Sequence, residues 1–213
     1  MFEHTHIRNP EVVRYVSAFQ TPLHAIEVAF NGGAPKAGCE NPKETQVVAR
    51  CLKRANVHWL ESPWIETWTK DYGNVTMPDG AWNGIKLAAI CDNQAFLGIS
   101  NTLMEADLET GEPKWSVDTG STPVYQVIPS RNEEFLIVFN GYYGFKESSG
   151  KGNIAAVDFS GKEIWRSELP SSDDIFANPP YFEKGILKSA SWNGFTCSID
   201  ERSGKIFERK FTK

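Results

Sequence analysis

From about residue 84 onward the chain is a series of short apolar segments separated by turn residues. Gly84 to Ile90, Ala95 to Ser100, Met104 to Leu108 and Lys114 to Val117 come first. Val124 to Ile128, Phe135 to Phe139, Asn153 to Phe159 and Glu163 to Leu169 follow. Tyr181-Phe182, Ile186 to Trp192, Phe195 to Ile199 and Lys205 to Phe211 complete the series. Evenly spaced segments of this length predict β-strands, and helical spacing is absent. The first 80 residues read differently. Asn9-Pro10-Glu11 precedes Val12, Val13, Val16 and Phe19. Asn is a favoured N-cap, Pro fits the first helical position, and Glu there complements the helix dipole. Asn41-Pro42-Lys43-Glu44 repeats the device ahead of Val47, Val48, Cys51, Leu52 and Ala55. The pattern predicts helices over 10–19 and 42–55. Between them, residues 23–30 alternate as a strand that ends at Asn31-Gly32-Gly33.

The turn before the last strand of each group is self-similar. Asp107-Leu108-Glu109-Thr110-Gly111 leads to Trp115, and Asp158-Phe159-Ser160-Gly161 leads to Trp165. Asp200-Glu201-Arg202-Ser203-Gly204 is the third copy, with Glu208 where Trp stands in the others and Phe207 one place early. The glycines lie 50 and 43 residues apart. Four short strands per period of about 40–50 residues describe propeller blades. A fainter copy without a glycine ends at Trp68 in the segment 61–68.

These residues resemble the repeat of pyrroloquinoline-quinone-type β-propellers: Asp, a few residues, Thr/Ser-Gly, then Trp four positions after the glycine. The resemblance covers about residues 84–213 and implies architecture rather than chemistry. Quinone dehydrogenases with this repeat carry calcium and quinone on the propeller axis, and no residues here match that site. The expected fold is mainly β: a small or incomplete propeller of about four sheets with two N-terminal helices. Residues 1–80 supply helices and strands of the same domain, and 81–213 the repeats. Three clear blades cannot close a ring. The segment 23–30 with Trp59 to Trp68 is a candidate fourth sheet, and self-association is the other route to closure.

Composition narrows the function classes. The chain of 213 residues is 40% apolar and 23% charged, as a globular domain is. No apolar run is long enough for a membrane-spanning helix, and the start lacks the pattern of a secretory signal. A cytoplasmic protein is the expectation, with Cys39, Cys51, Cys91 and Cys197 as buried thiols. Charge is uneven: residues 1–75 are neutral, 76–183 carry a net −9, and 184–213 a net +4. An acidic central block disfavours nucleic acid and suits a cationic protein partner.

Catalytic patterns are missing. No G-x-S-x-G, H-E-x-x-H, phosphate loop or paired-cysteine metal motif occurs, and no cofactor or metal ligand set is assigned. All four histidines precede residue 59. Aromatic-Asn-Gly occurs at 30–32, 82–84, 139–141 and 192–194 and marks hairpin tips. Tyr142, Tyr143 and Phe145 follow one such turn in a glycine-rich loop, in the manner of a binding loop. Together with Asp173, Asp174 and Trp192 they are the candidate partner-binding residues. The reading that follows is a non-catalytic protein-binding module, in concrete form a bacterial immunity protein covering a cationic toxin such as a secreted nuclease. The alternatives are a small propeller-type hydrolase or lyase, and a scaffold subunit binding through an open sheet edge.

Overall fold

The computed structural model describes residues 13–21, 23–31, 43–54, 63–77, 86–91, 93–141 and 150–212. Sixteen strands form four sheets, each an antiparallel meander of four strands consecutive in the chain. The first holds β1 (Val13–Gln20), β2 (His24–Asn31), β3 (Lys43–Arg54) and β4 (Trp64–Met77). The second holds β5 (Ala88–Cys91), β6 (Gln94–Ile99), β7 (Thr102–Ala106) and β8 (Pro113–Asp118). The third holds β9 (Val124–Pro129), β10 (Leu136–Asn140), β11 (Lys151–Val157) and β12 (Glu163–Glu168). The fourth holds β13 (Tyr181–Glu183), β14 (Ile186–Ala190), β15 (Phe195–Ile199) and β16 (Ile206–Phe211). β5 packs against β1, β2 and β9, so the leading strands lie innermost, as in propeller blades.

The two helices expected at 10–19 and 42–55 are strands, and no helix occurs among the described residues. Two features of the backbone explain the misreading. In β1 the register against β2 shifts between Tyr15 and Ser17, so an extra residue breaks the two-residue alternation. In β3, Val47, Ala49 and Cys51 are buried on one side of the sheet, with β2 and β4 bonded along both edges. The helical set Val47, Val48, Cys51 and Leu52 contains part of that alternation and mimics a 3.6-residue period. Non-local pairing on both edges outweighs the local capping signal. The caps at residues 9–11 and 41–42 lie outside the described residues. The expectation that the N-terminal segment supplies a fourth sheet holds, with Trp68 in its outer strand.

One contact recurs between sheets. The Trp68 indole N–H donates to Leu108 O (3.0 Å), that of Trp115 to Phe159 O (3.1 Å), and that of Trp165 to Glu201 O (2.9 Å). Each ring lies on the glycine of the next sheet's turn. A Cβ on Gly111 would sit 2.6 Å from Trp68, on Gly161 2.9 Å from Trp115, and on Gly204 2.5 Å from Trp165. These glycines also have φ of +70°, +88° and +71°, which side-chain-bearing residues rarely adopt. The aspartate sets each turn. Asp107 Oδ1 accepts from the N–H groups of Glu109 and Thr110, Asp158 Oδ1 from those of Ser160 and Lys162, and Asp200 Oδ1 from that of Arg202.

The tryptophan rows carry the core. Each crosses its sheet and faces the following one: Phe19, Ile26, Cys51 and Trp68 in the first; Ala89, Phe96, Glu105 and Trp115 in the second; Ile128, Ile137, Ala156 and Trp165 in the third. Phe96 stacks on Phe159 of the third sheet at 5.3 Å. The corresponding row of the fourth sheet is Tyr181, Lys188, Ser198 and Glu208. It is polar and internally bonded: Lys188 Nζ meets Glu183 at 2.6 Å and Ser198 donates to Glu208 at 2.9 Å. Tyr181 is 46% exposed. This face is therefore solvated, like the outer face of a capping repeat. It explains the third copy's departure from the motif: Glu208 faces water where the earlier tryptophans face a sheet.

Two outcomes follow. Trp115→Ala or Trp165→Ala should each cost about 3–5 kcal/mol in urea unfolding, as large aromatic deletions do, while Trp165→Phe should lose only about 1 kcal/mol with the hydrogen bond. The second outcome concerns pH. Backbone N–H groups of Glu109 and Thr110 hold Asp107 below its usual carboxyl range, and the Ser203 hydroxyl with the Arg202 N–H does the same for Asp200. A carboxyl lowered by folding stabilises fully above its unfolded value, about 3.9, and that stabilisation vanishes as pH falls through the folded value. The urea midpoint should therefore fall below pH 4, and Asp200→Asn, which keeps an acceptor oxygen, should flatten that fall.

Candidate protein-interaction end of the sheet stack

The meander order sorts the connections between two ends of the stack. The Asp-to-Gly turns lie at one end. The β6–β7, β10–β11 and β14–β15 hairpins lie at the other, together with the linkers at 119–123 and 169–180 that lead from sheet to sheet. The sequence candidates all belong to this second end. Asp173 and Asp174 sit in the linker to the fourth sheet, Trp192 in the β14–β15 hairpin. Tyr142, Tyr143 and Phe145 belong to the β10–β11 connection and lie outside the described residues.

Buried amides pin the linkers to the sheets. Asn140 Nδ2 donates to Thr119 Oγ1 (2.9 Å) and to Thr122 O (2.7 Å). Asn153 Nδ2 donates to Asn140 O (2.7 Å) and to Phe176 O (3.0 Å). Both residues are fully buried. Asn140 of the Phe-Asn-Gly motif is thus a staple as well as a turn residue. Gly141 is required for a close approach: a Cβ there would sit 2.5 Å from the Tyr125 ring. Arg166 extends the network by donating to Thr119 O at 2.8 Å.

The two aspartates have different environments. Asp174 is buried, and its carboxylate accepts from the N–H of Ile175 (2.9 Å) and the N–H of Asn193 (3.1 Å). Ser171 Oγ donates to its other oxygen. Trp192 N–H in turn donates to Ile175 O (2.9 Å). Asp174 therefore clips the hairpin to the linker, and its charge is engaged in the fold. Asp173 is exposed, with φ +57°, and stands beside that clip. Trp192 is 58% exposed on the hairpin so held. Phe195 and Phe211 extend the aromatic surface, with ring centroids 5.5 Å apart in an edge contact. Sequence reasoning placed them in strands and missed their exposure, which register alone decides.

The thiols are poorly disposed to nucleophilic chemistry. Cys51, Cys91 and Cys197 are buried and unbridged. Burial pushes the Cys51 thiol up, and Cys197 to about 11. Cys39 and His58 lie outside the described residues. His24 is buried in β2, and burial lowers its pKa. Among the described residues no three His, Cys, Asp or Glu side chains gather as a metal site.

A family model described as a domain of unknown function (DUF7957) matches residues 122–211, the third and fourth sheets. No curated protein matches the chain. Among solved structures the chain is similar to BamB from Moraxella catarrhalis, at 15% identity over 94% of this chain and 52% of that one, with a TM-score of 0.47. The computationally designed Ika8 protein aligns at 12% identity over 92% and 61%, TM-score 0.47. The C-terminal WD40 domain of Sif2 aligns at 10% identity over 94% and 64%, TM-score 0.41. The chain spans about half the length of BamB.

The geometry separates the two aspartates experimentally. Asp174→Ala should cost about 1–3 kcal/mol, because it leaves buried N–H donors unmatched. Asp173→Ala should stay within about 0.5 kcal/mol of the parent, as exposed substitutions do. Thermal melts of the two variants read the difference.

Proposed function

We propose that this chain is a non-catalytic protein-binding module whose partner docks on the hairpin-and-linker end of the sheet stack. The observation that carries the reading is Trp192: a large aromatic more than half exposed, on a hairpin fixed by the Asp174 clip. Exposed aromatics on pre-ordered backbone are the residues that anchor protein interfaces. The Asp-Gly-Trp repeat, with each tryptophan lying on the next glycine, supports the pyrroloquinoline-quinone propeller type as architecture without its cofactor.

The finer reading is a cytoplasmic bacterial immunity protein that covers a cationic toxin. The net −9 over residues 76–183 supports it, since such a field speeds capture of a cationic partner. Affinity capture from the native host, with the parent chain and Trp192→Ala in parallel, supplies the partner. Surface-capture kinetics then divide the roles. Trp192→Ala should raise the off-rate, and Asp173→Lys should lower the on-rate, with the on-rate falling as salt rises. A partner held equally by Trp192→Ala would remove this end of the molecule from the account. An on-rate indifferent to salt would remove the cationic toxin while leaving protein binding in place.

A further inference from the structure

β16 is the outer edge of the fourth sheet and is bonded only to β15 among the described residues. Thr212 N–H donates inward to Gly194 O at 2.9 Å. Backbone groups alternate sides along a strand, so those of Phe207, Arg209 and Phe211 point away from β15. Their side chains share one face of the sheet. Phe207 and Phe211 are each 61% exposed, and the Arg209 side chain 42%. Edge strands are usually guarded by polar residues. β8 follows that rule with Pro113, Lys114, Ser116 and Asp118 exposed, whereas β16 presents two phenylalanines around an arginine.

The surroundings select the charge of an occupant. Residues 184–213 carry a net +4 on a chain whose overall charge is −5. A groove of about 400 Å³ beside Phe207 is lined by Ile186, Leu187 and Ile199, with Arg131 and Arg202 at its sides. Nearby carboxylates are engaged: Glu168 Oε2 accepts the Ile206 N–H at 3.0 Å, Glu201 Oε1 the Arg131 N–H at 2.6 Å, and Asp200 closes its own turn. A second copy is a poor occupant. In a two-fold antiparallel pairing centred on Arg209, Arg209 would face Arg209, and like charges directly opposite repel.

We propose that this edge accepts an extended acidic segment of a partner protein as a fifth strand. Its residues would follow the pattern apolar-x-Asp/Glu-x-apolar, with the carboxylate opposite Arg209 and the apolar side chains on Phe207 and Phe211. Main-chain hydrogen bonds hold such a strand, and alternate side chains select it. The proposal deepens the protein-binding reading and rests on it for the class of ligand, but the surface is distinct from the Trp192 hairpin.

The test uses the purified chain and a labelled ten-residue synthetic peptide with the core Phe-Thr-Glu-Thr-Phe, read by fluorescence anisotropy. Saturable binding is expected. Methylating the strand-pairing amides of the peptide should abolish it. Phe207→Thr with Phe211→Thr should weaken it by about tenfold or more, since losses at several cross-strand pairs accumulate. Arg209→Glu should reject this peptide and prefer one with Lys in place of Glu, a reversal that mere destabilisation cannot produce. Thermal melts check that each variant is folded, and Trp192→Ala should bind the peptide as the parent does. No binding by the parent chain, or equal binding of the amide-methylated peptide, would overturn the proposal. The readout needs no native partner, so failure of the edge and failure of the hairpin end give different results.

Discussion

The packing of each tryptophan on the glycine of the next sheet is the contact on which the stack depends. A four-stranded meander cannot cover both of its faces by itself, and its apolar side must meet a neighbour. Trp68, Trp115 and Trp165 fix that meeting at the outer strands, where the sheets diverge and small side chains would leave gaps. The glycine admits the ring, the aspartate shapes the turn, and a carbonyl of that turn receives the indole N–H. Closer to the axis the sheets approach tightly: a Cβ on Gly98 would sit 2.5 Å from Val124 Cγ1.

The clasp is staggered along the chain. In Asp158-to-Trp165, Gly161 receives Trp115 from behind while Trp165 reaches forward to Gly204. The two halves of one motif thus serve different interfaces. That offset explains both irregular copies. Trp68 needs no glycine four residues before it, because its glycine is Gly111 in the second sheet. Gly204 needs no tryptophan after it, because the face beyond it is the polar row of Tyr181, Lys188, Ser198 and Glu208. With the sheets so fixed, the linkers bound by Asn140, Asn153 and Asp174 can hold the hairpin end in one geometry, and Trp192 stands exposed on a firm support.

Legibility followed the range of the determining interactions. The repeats from residue 84 were readable because turn chemistry is local: Asp, Ser or Thr, and Gly at fixed offsets dictate the backbone there. The N-terminal sheet was misread for the converse reason. Asn-Pro-x-Glu is a genuine local helix signal, but β3 is held by bonds to β2 and β4 along both edges, and a bulge in β1 erases its alternation. Asp173 and Asp174 are adjacent and chemically identical in sequence. Only the approach of the β14–β15 hairpin makes one a buried clip and leaves the other in water.

By itself the sequence determined that the chain is mainly β, that its strands fall in groups of four behind an Asp-to-Gly turn, and that its charge divides between an acidic centre and a basic end. These follow from residue type and spacing within about ten positions. Tertiary structure decided which tryptophan meets which glycine, that the first 77 residues supply a sheet, and that Glu208 ends the apolar series at a solvated face. It also decided that Phe207, Arg209 and Phe211 stand together on an open edge. Each of these depends on contacts between sheets or on the order of strands within one, and no local pattern encodes those.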